Sequence, residues 1–372
     1  MKITEVRPFL FNRFLLVRVY TDAGLVGTGE AGNWAHHDVT CQCLREIAEY
    51  YVGKDPRAIE HHFQAVSRRA HFMGSDLSAA LSAIDVALWD ILGKSVGLPV
   101  HQLLGGACRD RVKVYQFLNG HTREEIAESA ERGLEAGFTA FRMTPLPPSF
   151  EKNTSTRNIS EAVRMVADAR EALGDGIDLG LEIHRNLKPD EAIILGRELE
   201  SFRILYYEDP VAPQSIDALE YVARHVRIPI ATGERFYSMY QFKDLIDRKI
   251  VSLIRPDLSL AGGFTQAKKI AAQAEAAFVG VFPHLMGTPV NTAAFVQLAA
   301  AIPNYAMMEA NGGNDDLGGA IIEPVPLVDG YRILPDKPGI GIEIDEEALA
   351  KQPPHVPTKF DPSTHADGSV AH

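Results

Sequence analysis

Three glutamates, Glu182, Glu208 and Glu234, recur at intervals of 26 residues in this chain. Each closes a short apolar run, in the segments LGLE, ILYYE and IPIATGE. An apolar run that repeats at the length of one strand–helix unit is typical of a parallel β/α barrel, whose strands all end at one mouth. The repeat therefore predicts a barrel with three carboxylates at a common mouth.

Three carboxylates at one mouth repel one another. At about 4 Å each pair costs on the order of 4 kcal/mol at an effective dielectric constant near 20, or roughly 12 kcal/mol for three pairs. Protonation or a divalent cation would relieve this repulsion, and hard oxygen ligands suit Mg²⁺. The spacing makes Glu182, Glu208 and Glu234 candidate metal ligands and Mg²⁺ the candidate cofactor.

Composition excludes several other classes of function. The 372 residues carry a formal net charge of −12, which disfavours nucleic acid and anionic membranes as partners. Three cysteines are too few for a disulfide framework. The amino terminus lacks a signal-peptide pattern, and no apolar run has transmembrane length. We expect a cytoplasmic globular protein that acts on a small molecule.

Strand and helix signals divide the chain into a cap and a barrel. Residues 2–31 alternate like a β meander, and helical periodicity follows to about residue 105. We expect an α/β fold: a (β/α)7β TIM-like barrel over 111–320 with an α+β amino-terminal capping domain over 1–110, completed by a carboxy-terminal segment, 321–372, with a flexible tail. The eight predicted strands are 112–118, 139–144, 179–184, 203–208, 228–234, 251–257, 279–284 and 305–310.

Polar side chains end six consecutive predicted strands, where the active sites of such barrels lie. Besides the three glutamates, these ends carry His184, Asp257, His284 and Glu309. A single acid or histidine at a strand end is weak evidence, because most such residues are structural or solvated. Their joint occurrence in register is what indicates chemistry.

The chain resembles the enolase superfamily, in its mandelate racemase/muconate lactonizing enzyme-like branch. The segments that carry the resemblance are LSAIDVALWDILGKSVGLPVHQLLGG, LYYEDP, ATGERF and RPDLSLAGGFTQAKKIAAQAE. Within this branch the Glu-x-His pair of the third strand, the His284 strand and ATGER are most similar to the galactonate and gluconate dehydratases. The resemblance implies metal ligands at the three glutamates, an Asp257–His284 dyad as the base, and a homo-oligomer, either a dimer or an octamer. It also implies that Glu309 is a hydrogen-bonding partner of the substrate carboxylate.

The resulting hypothesis is a Mg²⁺-dependent dehydratase of a sugar acid, either an aldonate or an aldarate. A histidine oriented by Asp257 is basic near neutral pH and would remove the C2 proton, while a cation stabilises the resulting enediolate. His184, beside the metal, would protonate the departing 3-hydroxyl group. The product would be an enol that ketonises to a 2-keto-3-deoxy acid.

Departures from the family pattern leave alternatives open, and one of them is Asp209, which stands where Glu is commoner. Glu182 stands where an Asp is usual, and Arg142-Met143-Thr144 replaces the Lys-x-Lys pair of the racemases. Loss of that second base favours one-base elimination over racemisation. An epimerase, racemase or cycloisomerase with His184 on the opposite face remains an alternative. A non-catalytic relative is a further one, which the complete set of strand-end residues disfavours.

Substrate contacts are expected from the cap as well as from the barrel. Asn33, Trp34 and His36 follow the segment GTGEAG, on a loop that we expect to fold over the mouth. Arg142 is either an anchor for a substrate oxygen or part of a structural salt bridge. With Glu309 these residues form the predicted substrate-binding set, and the sequence does not identify the sugar acid.

Overall fold

The amino-terminal domain is an antiparallel sheet covered by helices, in a computed structural model that describes residues 1–310, 315–359 and 362–371. The helix Ser75–Val96 packs so closely on the strand Val26–Ala31 that a Cβ atom at Gly27 or Gly29 would overlap a carbonyl oxygen of this helix. The sheet contains β1 (Ile3–Phe11), β2 (Phe14–Thr21) and β3 (Val26–Ala31). The helices are α1 (His37–Tyr51), α2 (Ile59–Arg69), α3 (Ser75–Val96) and α4 (Val100–Leu103).

The central domain alternates eight parallel strands with seven helices in the described part of the chain, which confirms the predicted (β/α)7β barrel. The strands are β4 (Arg111–Phe117), β5 (Ala140–Met143), β6 (Asp178–Glu182), β7 (Tyr206–Glu208), β8 (Ile230–Thr232), β9 (Leu253–Ile254), β10 (Gly280–Val281) and β11 (Met308–Glu309). The helices are α5 (Arg123–Glu135), α6 (Ser155–Leu173), α7 (Pro189–Leu199), α8 (Ile216–Ala223), α9 (Met239–Arg248), α10 (Gly263–Ala276) and α11 (Pro289–Ala301).

Strand pairing closes the barrel. Strands β4 to β10 pair in chain order, β11 pairs with β4, and a parallel bridge between Val281 and Tyr305 joins the remaining gap. All eight predicted strands are present, and seven of them are shorter than predicted, with residues lost at either end. All eight strands are parallel, so their carboxyl ends open on one side.

Aromatic rings fill the barrel beneath the mouth. The ring of Phe282 lies 5.3 Å from that of Tyr115 and 4.7 Å from that of Tyr206, measured between centroids. Gly180 on β6 leaves room for this layer, since a Cβ atom there would lie 2.1 Å from the Tyr206 ring. The barrel interior is therefore solid below the polar residues of the mouth.

Two cap carboxylates hold the cap on the barrel. Glu30 on β3 accepts hydrogen bonds from the backbone N–H groups of Thr288 and Asn291, at the start of α11. Asp85 on α3 accepts one from Thr265 N, in the first turn of α10. Burial raises the pKa of both carboxyl groups to about 7. Helix amino termini favour negative charge and have backbone N–H groups without partners in the helix. Each of these cap residues therefore stabilises the start of a barrel helix.

The carboxy-terminal segment contacts the cap, and its strand Tyr331–Ile333 pairs with β4 of the barrel. It contains β12 (Ile321–Ile322), β13 (Leu327–Val328), β14 (Tyr331–Ile333), β15 (Glu343–Ile344) and α12 (Glu346–Leu349). The Glu346 carboxylate accepts hydrogen bonds from Arg18 and Tyr20, and Asn12 N donates to Pro353 O. Across the described ranges, no helix has the length and apolar character needed to cross a membrane.

Candidate active site

The three glutamates of the 26-residue repeat converge at the mouth. Glu182 and Glu208 are the last residues of β6 and β7, and they face each other in the parallel register. Glu234 lies two residues beyond the end of β8. One oxygen from each carboxylate lies within 4.8 Å of the others. The structure thus brings together the predicted metal ligands, whose role remains a prediction.

Burial disfavours ionisation of two of these carboxyl groups. It raises the pKa of Glu182 to about 7 and the pKa of Glu208 well above its usual range. Burial also opposes ionisation of Glu234, but the positive charges of His284 and Arg185 outweigh it and lower the pKa of Glu234 to about 2. The deepest pair of carboxylates therefore needs further positive charge to ionise fully.

The donor set fits a divalent cation. Neither oxygen of Glu208 accepts a hydrogen bond with good geometry from any described residue, although both are buried. Six carboxyl groups face three guanidinium groups and the protonated ring of His284 at the mouth, so full ionisation of the acids leaves two uncompensated negative charges. The carboxyl groups belong to Glu182, Glu208, Asp209, Glu234, Asp257 and Glu309, and the guanidinium groups to Arg142, Arg185 and Arg255. Three carboxylate oxygens close together are ligands that suit Mg²⁺.

Asp257 and His284 form a hydrogen-bonded dyad beyond the ends of β9 and β10. His284 Nδ1 lies 2.8 Å from Asp257 Oδ2, and its Nε2 lies 3.8 Å from Glu234 Oε2. Burial alone would lower the pKa of His284, but Glu234 and the hydrogen bond to Asp257 raise it to about 9. Asp257 fixes one ring nitrogen, and the other faces the carboxylate cluster.

The chain turns sharply after β6 and wraps the first glutamate. His184 and Arg185 both have positive φ angles, 52° and 68°, which are uncommon and costly for residues other than glycine. This turn lets His184 N donate to Glu182 Oε1 at 2.6 Å, and it directs the Arg185 guanidinium to Asp209 and Glu234. His184 is exposed at the mouth, although partial desolvation of its ring lowers its pKa to about 4.

Arg255 is a buried residue of the site that sequence reasoning missed. Its Nε lies 2.5 Å from Glu208 Oε1, its Nη2 donates to Glu309, and its guanidinium lies 4.2 Å from the Phe282 ring centroid. Burial would raise the pKa of Glu309, but Arg255 and Arg142 lower it. Arg255 precedes Asp257 by two residues in the predicted strand. Alternate residues of a strand project to the same face, so this spacing is the sequence signal that could have identified Arg255 as a residue of the site.

Arg142 on β5 contacts the cluster directly. Its Nη1 lies 3.3 Å from Glu182 Oε2 and 3.7 Å from Glu208 Oε2, and its guanidinium packs 4.8 Å from the Phe117 ring centroid. Of the two predicted readings, these contacts support the structural salt bridge. A contact between Arg142 and substrate remains a prediction.

The predicted substrate residues of the cap contact other cap residues. Asn33 is buried and donates to Asp76, while the Trp34 ring packs on Arg13 and His37. His36 is exposed. The loop does begin at the site, because a Cβ atom on Gly32 would lie 3.4 Å from Asp257 Oδ1. Substrate contacts of Asn33, Trp34 and His36 remain predictions.

Comparison with known proteins agrees with this geometry. Residues 8–105 match the mandelate racemase/muconate lactonizing enzyme amino-terminal domain, and residues 125–348 match the enolase C-terminal domain-like family. The chain belongs to the enolase superfamily. Its full length is 34% identical to a D-galactonate dehydratase of Pectobacterium atrosepticum and 36% identical to one of Variovorax paradoxus, each covering 100% of both chains.

Solved structures of the superfamily share the whole fold. An enolase from Agrobacterium radiobacter with bound sodium and L-malate superposes with a TM-score of 0.93 at 31% identity, covering 100% of both chains. An enolase from Pantoea ananatis with bound D-gluconate and magnesium superposes with a TM-score of 0.92 at 29% identity, covering 100% of this chain and 99% of the other. With the full-length similarity to dehydratases, this superfamily member is a carbon–oxygen lyase of the hydro-lyase class.

Proposed function

We propose that this superfamily member is a Mg²⁺-dependent dehydratase of an aldonic or aldaric acid. It would remove the C2 proton and eliminate the C3 hydroxyl group to give a 2-keto-3-deoxy acid. The observation that supports this most strongly is that the Asp257–His284 dyad faces the three-carboxylate cluster to which His184 is joined. The curated D-galactonate dehydratases and the Pantoea structure with D-gluconate and magnesium support a sugar acid as substrate.

The base in this proposal is His284. Asp257 holds Nδ1 in a hydrogen bond, so Nε2 of the neutral ring is the nitrogen that takes the C2 proton. Glu234 and Asp257 raise the pKa of His284 to about 9 despite burial, and a cation on Glu234 would offset the negative charge of Glu234 and so favour the neutral ring. The negative charge of Asp257 stabilises the imidazolium that forms. Mg²⁺ held by Glu182, Glu208 and Glu234 would supply electrostatic stabilisation for the negative charge that develops on the substrate carboxyl group.

The acid in this proposal is His184. Its pKa is about 4 in the free protein, so it acts as an acid only after an anionic substrate brings negative charge beside the ring. His184 would then protonate the C3 hydroxyl group as the carbon–oxygen bond breaks, and a neutral water molecule leaves. The enol that remains takes up a proton at C3 and loses the proton of its C2 hydroxyl group, which gives the keto acid.

Arg142 supports elimination over racemisation. Racemisation by two bases needs a second group that can take or give a proton on the other face of C2. An arginine does not lose its proton in proteins, and the nearby Glu208 and Glu182 raise the pKa of Arg142 further despite burial. Strand β5 therefore contributes positive charge but no base.

The ionised state of Glu309 limits the hydrogen bonds that it can make with a substrate. The arginine contacts that lower its pKa keep it ionised, and an ionised carboxylate accepts hydrogen bonds without donating them. Donation to a substrate carboxylate would require Glu309 to take up a proton when substrate binds. This role, proposed from the family resemblance, is tested by comparing Glu309→Gln with the unaltered protein in substrate affinity.

Two histidine variants test the proposal. The unaltered protein, incubated with Mg²⁺ and a panel of aldonic and aldaric acids, should release a 2-keto-3-deoxy acid from at least one of them. In D₂O, His284→Asn should lose both exchange at C2 and dehydration, whereas His184→Asn should lose dehydration but keep exchange. His225→Asn is the matched control, because His225 lies exposed just after α8 and its ring Nδ1 lies 2.7 Å from Tyr221 O, away from the mouth.

The outcomes separate the candidate functions. Exchange at C2 without loss of water, across the whole panel, would replace dehydration by epimerisation. A metal-loaded protein that neither exchanges nor dehydrates any acid would refute the proposal. Retained exchange in His284→Asn would show that the base is assigned wrongly.

A further inference from the structure

A chain of buried hydrogen bonds links the cap to the loop that carries His284. The Glu30 carboxylate accepts from Thr288 N at 2.9 and 3.0 Å, from Thr288 Oγ1 at 2.7 Å and from Asn291 N at 3.2 Å. Thr288 caps α11 and lies four residues after His284. The cap residue Glu30 therefore fixes the end of the loop that begins at the base.

A second branch of the same network reaches Asp257. Asn291 Nδ2 donates to Ser259 Oγ at 3.1 Å, and Ser259 donates to Asp257 Oδ1 twice, from Oγ at 2.6 Å and from N at 2.9 Å. The cap closes over this branch, where Gly32 N donates to Ser259 O at 2.9 Å. Glu30, Asp257, Ser259 and Asn291 are all more than nine-tenths buried.

The two oxygens of Asp257 thus have separate partners. Oδ1 accepts from Ser259, and Oδ2 faces His284 Nδ1 at 2.8 Å. A carboxylate bonded only to the histidine could rotate about its own axis and carry the ring with it. Two donors from Ser259 fix the plane of the carboxylate, and through it the direction of His284 Nε2.

The other cap carboxylate provides an internal comparison. Asp85 is as deeply buried as Glu30 and bonds to the first turn of α10, but its partner Thr265 bonds to neither member of the dyad. Both acids therefore hold the cap on the barrel. Only Glu30 also belongs to the network that ends at Asp257 and His284.

We propose that Glu30, Ser259 and Asn291 are positioning residues that orient the Asp257–His284 dyad, so that docking of the cap aligns the catalytic base. The catalytic consequence rests on the proposed function, whereas the orientation of the ring does not. Outer partners of catalytic or ligating groups typically contribute about 10- to 100-fold to activity, and a misplacement of about 1 Å can cost roughly 100-fold. None of the three residues needs to touch substrate for this role.

The first test removes one hydroxyl group. Ser259→Ala should lower kcat about 10- to 100-fold while KM changes less than about threefold, because the base is misaligned but the substrate contacts remain. Ser82→Ala is the matched control: Ser82 is also a buried serine at the cap–barrel boundary, and its Oγ accepts from Gly262 N without touching the dyad. Its kcat should stay within about twofold of the unaltered protein.

The second test compares the two cap carboxylates. Glu30→Gln and Asp85→Asn each replace a buried acid at the domain boundary, so both should shift the melting temperature, and the two shifts should have the same sign. At a temperature where both variants are fully folded, only Glu30→Gln should lower kcat, by about tenfold. An equal loss of kcat in both variants would reduce Glu30 to a structural role.

The third test does not depend on turnover. With ¹⁵N-labelled histidine, the Nδ1 resonance of His284 is assigned by its loss in His284→Asn. Ser259→Ala and Glu30→Gln should shift or broaden this resonance, and Ser82→Ala and Asp85→Asn should leave it unchanged. An unmoved resonance in Ser259→Ala and Glu30→Gln, together with unchanged kcat, would overturn the inference.

The readouts also separate this inference from the proposed function. If no acid on the panel is dehydrated but the His284 resonance moves in Ser259→Ala, the proposed function fails and the positioning network stands. If dehydration is found but Ser259→Ala alters neither kcat nor the resonance, the network fails and the function stands.

Discussion

Replacing Glu182 by Gln should make the metal-free protein more stable and the metal-loaded protein less stable than the unaltered one. The carboxylate oxygens of the cluster lie within 4.8 Å of one another, so each ionised pair costs about 3.5 kcal/mol at an effective dielectric constant near 20. Glu182 takes part in two pairs, or about 7 kcal/mol. The attraction between Glu182 and Arg142 at 3.3 Å offsets about 5 kcal/mol of this repulsion, so ionised Glu182 destabilises the metal-free protein by about 2 kcal/mol.

The raised pKa of Glu182 also indicates that its ionised form destabilises the metal-free protein. Its value of about 7, against an ordinary 4.5, corresponds to about 3 kcal/mol. Because the folded-state pKa is raised, protonation of Glu182 stabilises the folded protein. This stabilisation is fully present below about pH 4.5 and is lost as the pH rises through 7. The destabilisation by Glu182 should therefore be complete at pH 8.5, and Glu182→Gln should gain about 2–3 kcal/mol there in the presence of EDTA.

Magnesium should reverse the order of the two proteins. At a free concentration 1,000 times the dissociation constant of the unaltered protein, Mg²⁺ adds about 4.1 kcal/mol to its stability, which exceeds the advantage of about 2–3 kcal/mol that the variant has in EDTA. The variant lacks one ligand, so it should gain much less at the same concentration. Urea unfolding followed by circular dichroism, in EDTA and in Mg²⁺ at pH 8.5, measures both differences.

A surface glutamate provides the control. Glu198 is exposed on α7, and Glu198→Gln makes the same change of charge, which should alter stability by less than about 0.5 kcal/mol in either buffer. If Glu182→Gln were less stable than the unaltered protein in EDTA, the repulsion argument would be wrong. An equal response to Mg²⁺ in both proteins would remove Glu182 from the ligand set.

Three further predictions follow from buried contacts. Arg255→Lys keeps the charge but cannot bridge both carboxylates, so the free energy of unfolding should fall by about 1–3 kcal/mol and Mg²⁺ affinity should change in isothermal titration. Asp85→Asn should flatten the fall in stability between pH 4 and pH 8, because the pKa of this acid is raised to about 7; urea unfolding across that range checks it. Gly32→Ala places a Cβ atom 2.0 Å from Ser259 Oγ, so we expect about 1–3 kcal/mol of destabilisation by thermal unfolding and a lower kcat.

The positions of the barrel strands could be predicted because apolar runs and acids repeat together. Glu182, Glu208 and Glu309 end their strands, while Asp257 and His284 lie three residues beyond theirs. The lengths of seven strands were overestimated, at the amino end as well as at the mouth: the strand predicted over 203–208 is Tyr206–Glu208. Apolar residues next to a ladder keep the sequence pattern of a strand without belonging to it. The presence and order of the strands are thus easier to predict than the residues at which they begin and end.

Residues that act through distant partners could not be predicted in the same way. Glu30 and Thr288 are separated by 258 positions, and no local pattern marks the strand GTGEA as the partner of a helix amino terminus. Arg255 was overlooked because a buried arginine is rare and depends on carboxylates from two other strands. The roles of the metal ligands and dyad, the domain boundaries, the flexible tail and the oligomeric state remain predictions.

The contact between Gly32 and Ser259 has a consequence for protein engineering. It ties the start of the 33–37 loop to the segment that supports Asp257, while Glu30 holds the strand just before it. Residues 33–37 can then be exchanged for those of a relative while both attachment points are retained. Grafts of this loop should alter which acid is accepted while the rate of proton removal is preserved, whereas grafts that begin at residue 30 should impair turnover on every acid.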